Sequence, residues 1–414
     1  MYDLNGKEPI RCTRIDKKNE MKKQESIIEQ VKSGRLSKNL WKLVNIPSPT
    51  RQERNASLAF AEMLSEAGAH VKLDESLPDS PSVIGRLQGN RPGKTIQLAG
   101  HIDHIDKSHP KPTRNDKSMS GRGAADMKNG LAGILEVVSV LNENGCDFPG
   151  EVLVTSYGLH ESPLGDHRGL LNLIKRGIKG DAAIVAEGVK DRAIVMGKGQ
   201  SIWNIQINRN GEICHELRLP PNTGDILGTA QSVISSLMNR NDEFKNLSHS
   251  YPLLGPESLF IGQVHYGDFY NRVPKECRLQ GTRRWHPNKT FDDVKEELKD
   301  ILNRIQCPAG VSIESDWNFV GEAYQINVHE PVVQALISAC KEITGKDPAV
   351  DGISLVTDAN DLVRRGGVPS VLCGFGGEGA HGDYECVAIA DMEVASRIVI
   401  SSVLTYLNSF NKNQ

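Results

Sequence analysis

The chain has 414 residues, too many for one small core, so one large α/β domain or two domains is expected. Its formal net charge of −3, with no block of like charges, argues against a polyanionic partner such as nucleic acid. No apolar run approaches the roughly 18 residues that a membrane helix needs. The start, "MYDLNGKEPIRCTRIDKKNEMKKQ", is charged and shows no signal-peptide core, which predicts a cytoplasmic location. The eight cysteines are scattered without a C-x-x-C pair, which predicts reduced thiols rather than a disulfide framework.

In chain order, apolar positions from Ile27 to Val44 recur at about 3.6 spacing and predict a helix over 24–45, closed by the prolines of "NIPSPT". "ERNASLAFAEMLSEAGA" predicts a second amphipathic helix, stopped by Gly68. Short apolar runs of strand type follow: "TIQLAG" (95–100), "EVLVTSYG" (151–158), "DAAIVAEG" (181–188) and "PSVLCGFG" (369–376). Helical patterns such as "GLAGILEVVSVLNENG" separate the first three. Strands alternating with helices predict a doubly wound, mostly parallel α/β sheet. From about residue 198 the pattern becomes β-α-β-β-α-β, the order of a ferredoxin-like α+β sandwich. The expected organisation is therefore a discontinuous metal-binding catalytic domain, 1–197 and 320–414, with an inserted lid or dimerisation domain at 198–319.

Candidate ligands stand just beyond the C-terminal ends of the strand-like runs, where open α/β sheets bind ligands. "TIQLAG" leads into His101 and Asp103, "EVLVTSYG" into His160 and Glu161, "AAIVA" into Glu187, and "SVLCGFGGEGA" into His381. "GRGAADMKNG" places Asp126 ahead of a helix. Imidazoles and carboxylates gathered on neighbouring loops suit one or two first-row divalent metals, Zn²⁺ or Mn²⁺.

"LAGHIDHID", "GRGAADMKNG", the "HE" at 160–161, the "AEG" at 186–188 and "GGEGAHGDYE" resemble, in order, five signatures of one family. These are the two-metal amidohydrolases that include aminoacylase, acetylornithine deacetylase, succinyl-diaminopimelate desuccinylase and glutamate carboxypeptidase. "LVNIPSPT", "NRVP" and "RRWHP" extend the resemblance over nearly the whole chain. It implies that Asp126 bridges two metals, with His101 and Glu187 on one and Glu161 and His381 on the other. It further implies that Asp103 holds His101 in its ligating tautomer, and that the Asp126–Met127 peptide is cis. In the inserted domain, His215 resembles the histidine that a partner subunit donates to the oxyanion, which implies a homodimer or higher homo-oligomer. Asn271 and Arg284 match positions that hold a substrate carboxylate, although Arg283 leaves that register open, and Gly376 lies in the segment expected to line the substrate loop.

At 160 the chain departs from the family, which has a glutamate there as the general base beside the ligating glutamate. Glu161 falls at the ligand position, 35 residues after Asp126, so the base position belongs to His160. A slip of one residue would offer Ser162 as the ligand, a poor one for a divalent cation. Histidine is a competent base near neutral pH. Against two dications, Asp126, Glu161 and Glu187 leave a charge of +1 (4 − 3), where a glutamate at 160 would give zero. The change favours an anionic substrate, a weaker second metal, or a third imidazole on a single metal. The expected activity is hydrolysis of a C–N bond in a small carboxylate-bearing substrate, an N-acyl amino acid or dipeptide-like amide. Two alternatives stay open: a hydrolytic deaminase, like the relative that removes ammonia from 5-nitroanthranilic acid, and an inactive metal-binding relative.

Overall fold

The computed structural model describes residues 24–410 apart from Ser162, Leu164, Val189 and 247–250. The polar N-terminal segment and Cys12 fall outside the described residues. Among the described residues the chain divides into two compact units, one of the residues up to 195, 327–350 and those from 365 on, the other of residues 196–326 and 351–364.

The first unit begins with α1 (Ser33–Val44) and α2 (Arg54–Glu66), followed by β1 (His70–Asp74), β2 (Ser82–Gln88) and β3 (Arg91–His101). After a long loop come α3 (Lys128–Glu143), β4 (Pro149–Tyr157), α4 (Arg168–Lys175), β5 (Ala182–Val185) and β6 (Arg192–Gly197). The expected helix over 24–45 is interrupted: residues 24–28 are helical, then the chain turns before α1. The buried carboxylate of Glu136 causes the break. It accepts the Lys32 N–H at 2.7 Å, which in a continuous helix would bond to the carbonyl of residue 28, and it also pairs with Arg35.

The sheet runs β1-β2-β4-β3-β5-β11-β6, where β11 is Ser370–Leu372. Its centre, β4-β3-β5-β11, is parallel and its flanks are antiparallel. Ile96, Gln97, Leu98 and Ala99 on β3 are all buried in succession, the pattern of a strand covered on both faces. The C-terminal helix, Ile389–Ser409, completes the unit.

In the second unit, β7 (Gly199–Arg209), β8 (Ser258–Tyr266), β9 (Glu276–Trp285) and β10 (Val311–Gly321) form an antiparallel sheet of order β8-β9-β7-β10. With the helices Ile226–Asn246 and Phe291–Asn303 it makes the ferredoxin-like sandwich. Burial along β7 alternates strictly, so only one face is covered, by a core that includes Trp203, Ile205, Ile207, Val233, Leu237 and Leu298. Residues 351–364, which the sequence reading puts in the catalytic domain, belong to this unit. Asn360 donates to the carbonyls of Lys198 and Glu322, and the Ile353 carbonyl accepts from Lys198 N–H. Such partners lie more than 30 positions away and leave no local signal in the sequence.

Candidate metal centre

Parallel register brings the site together. His101 at the end of β3 is aligned with Tyr157 at the end of β4, and Ala99 with Val185 at the end of β5. The residues just past those ends, His160, Glu161 and Glu187, therefore emerge along one edge. Asp126 precedes the first turn of α3, and the Asp126–Met127 peptide is cis. Gly130, one turn into α3, lets that helix press against the Ala186 carbonyl, where a Cβ would collide.

The two oxygens of Asp126 face two different histidines. Oδ1 lies 3.2 Å from His101 Nε2, and Oδ2 lies 3.3 Å from His381 Nε2. His381 Nε2 also lies 3.0 Å from Glu161. His101, Asp126 and Glu161 each offer a ligand atom within 4.8 Å of the others, and so do His101, His160 and Glu187. The His160 ring stacks on His101, with centroids 4.0 Å apart and planes 2° apart. His101 Nε2 and Asp126 Oδ1 are buried with no hydrogen bond. Buried polar atoms that converge unbonded are costly unless a further partner joins them, so these residues fit a divalent cation. The electrostatics agree. Burial alone would raise the Asp126 carboxyl, but the facing His101 and His381 hold it well below the usual carboxylate range. Asp126 and Glu161 together push His381 up to about 10. Such a negatively biased cluster favours a cation.

Asp103, fully buried, ties two loops together. Its Oδ1 faces His101 Nδ1 at 3.5 Å, while Oδ2 accepts from Thr50 Oγ1 at 2.9 Å and from the backbone N–H groups of His160 and Glu161 at 3.0 and 2.9 Å. His101 Nδ1 also lies 3.2 Å from the Asp103 carbonyl. A proton on Nδ1 leaves the Nε2 lone pair for a ligand.

Several residues of this framework escaped the sequence reading. Glu53 Oε1 accepts the Leu159 N–H at 2.9 Å, just before His160. Arg122 donates to Glu385 Oε1 at 2.5 Å and to the carbonyls of Gly382 and Ser108, and Glu385 Oε2 accepts the Gly123 N–H. That buried pair clasps the segment leading to Asp126 onto the segment carrying His381. Lys128, its amine pushed down to about 7 by burial, donates to the carbonyls of Leu43 and Ile46 at the end of α1. Arg122, Lys128 and Glu385 stand within the quoted motifs, but a charged residue in a loop reads as solvated until its burial is known. The Gly376 carbonyl, in the segment expected to line the substrate loop, accepts from Asn129 Nδ2 at 2.7 Å.

Within the second unit, His215 and Asn271 come together, the Asn271 amide lying 3.0 Å from His215 Nε2. His215 Nδ1 accepts the Leu217 N–H, so Nε2 carries the ring proton and the amide is satisfied with its oxygen toward the ring. Strand alternation separates the two arginines. Arg283 is buried in a network with Glu257 and Glu297. Arg284, on the other face of β9, donates to the Ser354 carbonyl at 2.7 Å and has no carboxylate partner among the described residues. Burial with no such partner lowers its pKa.

This fold and this cluster define a metal-dependent hydrolase of C–N bonds. The chain belongs to Peptidase family M20/M25/M40, whose sequence model matches residues 97–405. It is 25% identical over 425 aligned residues to N-formyl-4-amino-5-aminomethyl-2-methylpyrimidine deformylase of Bacillus subtilis, covering 95% of this chain and 97% of the relative. A tripeptidase from Staphylococcus aureus shares the fold at a TM-score of 0.75 and 20% identity, over 91% of this chain and 99% of the other. A dinuclear metal-binding peptidase of family M20 from Bacillus subtilis does so at 0.69 and 17%, over 91% and 99%. Among the described residues no helix is long and apolar enough to cross a membrane.

Proposed function

We propose that this protein hydrolyses the amide bond of a small carboxylate-bearing N-acyl or N-formyl amine, or of a dipeptide-like substrate, in the cytoplasm. The observation that carries the reading is Asp126, whose two oxygens each face a different histidine. In this reading Asp126, His101, Glu187, Glu161 and His381 would hold one or two divalent ions, Zn²⁺ or Mn²⁺, with Asp126 placed to be shared between them. When bound, such ions supply Lewis-acid polarisation and a nucleophile at neutral pH. Asp103 orients His101. His160, fixed by its backbone bond to Asp103 and by its stack on His101, accepts the proton released as the amide carbon is attacked. In a homodimer the partner's His215 steadies the developing oxyanion. Arg284 and Asn271 hold the substrate carboxylate, a task for which a guanidinium without a carboxylate of its own is suited, and the loop at Gly376 borders the substrate. The deformylase relative supports an N-formyl or N-acyl amine as the substrate class.

The test is mass spectrometry of Zn²⁺- or Mn²⁺-loaded protein incubated with a pool of N-formyl and N-acyl amino acids, dipeptides and aminoaromatic acids. A substrate split into acid and amine supports the reading. Exchange of an amino group for hydroxyl, with ammonia released, overturns it in favour of deamination. His160→Ala should abolish turnover while metal stays bound; near-normal rates would remove His160 from the chemistry.

A further inference from the structure

The loop that presents His160 carries a second histidine, His167, and its closure brings the two rings together. Leu159 and His167, at the two ends, both adopt left-handed backbone conformations, with φ of 63° and 60°. The Leu159 carbonyl accepts the N–H groups of both Asp166 and His167, at 2.9 and 2.8 Å, and the Glu161 carbonyl accepts that of Gly165 at 2.6 Å. The His167 ring is thereby held 4.8 Å from that of His160, tilted by 30°. The imidazoles stand in the order His101, His160, His167.

The helix that follows does not account for a histidine here. His167 occupies the N-cap of α4, where Ser, Thr, Asp or Asn serve best, and its side chain makes no capping bond. A left-handed backbone is also unfavourable for most residues with a side chain. The residue is nevertheless only 6% exposed. A base at 160 supplies the need. Asp103 fixes the backbone of His160, but an imidazole still has two side-chain torsions, and a general base works only when its nitrogen is held within reach of the proton it takes.

We propose that His167 is a positioning residue for His160. Its ring confines the His160 imidazole beside His101, and so makes a histidine workable where the family resemblance implies a glutamate. The proposal rests on the reading of His160 as proton acceptor. No proton passes to His167 in this scheme; it acts by contact.

The experiment compares His167→Asn, which tolerates the left-handed backbone but removes the ring, with His167→Phe, which keeps a ring without nitrogens. Both are measured as Zn²⁺-loaded full-length protein, for kcat and KM on the amide found in the pool and for the His160 ring resonances in histidine-labelled spectra. His167→Asn should lower kcat on the order of 10- to 100-fold, as misplacement of a reacting group does. KM and zinc content should hold, and the His160 ring signals should lose the shifts that a neighbouring ring induces. His167→Phe should recover most of both. Wild-type kcat and unmoved signals in His167→Asn would overturn the proposal. Recovered signals without recovered turnover in His167→Phe would also overturn it, because the His167 nitrogens would then be needed. If wild-type protein cleaves no amide, the proposed function fails, and the ring signals still decide whether His167 places His160.

Discussion

Asp103 does two things with two different oxygens, and substitution separates them. Oδ2 accepts from Thr50 and from the backbone of His160 and Glu161, while Oδ1 faces His101 Nδ1. Asp103→Ala removes both functions. A hydrogen bond to a charged group contributes about 1.5–3 kcal/mol, so two abandoned backbone N–H groups should cost the metal-free protein about 3–6 kcal/mol. Asp103→Asn keeps an oxygen for those N–H groups but turns its NH₂ toward His101. Donor then meets donor unless the imidazole moves its proton to Nε2, the nitrogen that faces Asp126. Stability should fall by only about 1–2 kcal/mol. Zinc affinity should fall about 10- to 100-fold, the usual effect of losing such a partner, or about 1.4–2.7 kcal/mol. Urea denaturation of metal-free protein and zinc competition against a chelator measure the two quantities. An Asn variant that binds zinc like wild type would refute the tautomer argument. One as unstable as Asp103→Ala would refute the division between the oxygens.

Other expectations follow from buried charges. Glu385→Ala strands the buried Arg122 and should destabilise by about 3–5 kcal/mol. Arg122→Met with Glu385→Leu should cost less than the sum of the two single changes, and strict additivity in urea denaturation would show that the pair is not coupled. His104 Nε2 accepts the Ser48 N–H and its Nδ1 donates to the Ile105 carbonyl, so the folded state requires the neutral ring. Burial, with help from Lys128, pushes its pKa down to about 4 from the ordinary 6.5. The unfolded chain therefore binds the proton first. The stability is present above about pH 6.5 and is lost as pH falls toward 4, in total about 3 kcal/mol. By pH 5 the wild type should have lost about 2 kcal/mol more than His104→Gln, and parallel pH profiles would exclude the effect. Arg284→Ala should raise KM for a carboxylate-bearing substrate by about 10- to 100-fold with little change in kcat. An unchanged KM would remove Arg284 from recognition.

Periodicity and strand-end placement made much of this protein legible in its sequence. The parallel centre of the sheet, the ferredoxin-like order of the second unit and the gathering of His101, Asp126, Glu161 and His381 all follow from local patterns. The reason is that amphipathic spacing and strand ends act over a few residues. What escaped depended on distant partners. The helix over 24–45 broke because of Glu136, a hundred positions away. The choice between Arg283 and Arg284 rested on which face of β9 meets Glu257 and Glu297. The left-handed turns at Leu159 and His167, which bring two histidine rings together, leave no periodic trace. The sequence by itself determined the kinds of elements and the residue types of the candidate ligand set. Only the tertiary structure decided which charges are buried and which rings touch, because burial and contact belong to residues brought together by folding, not by order along the chain.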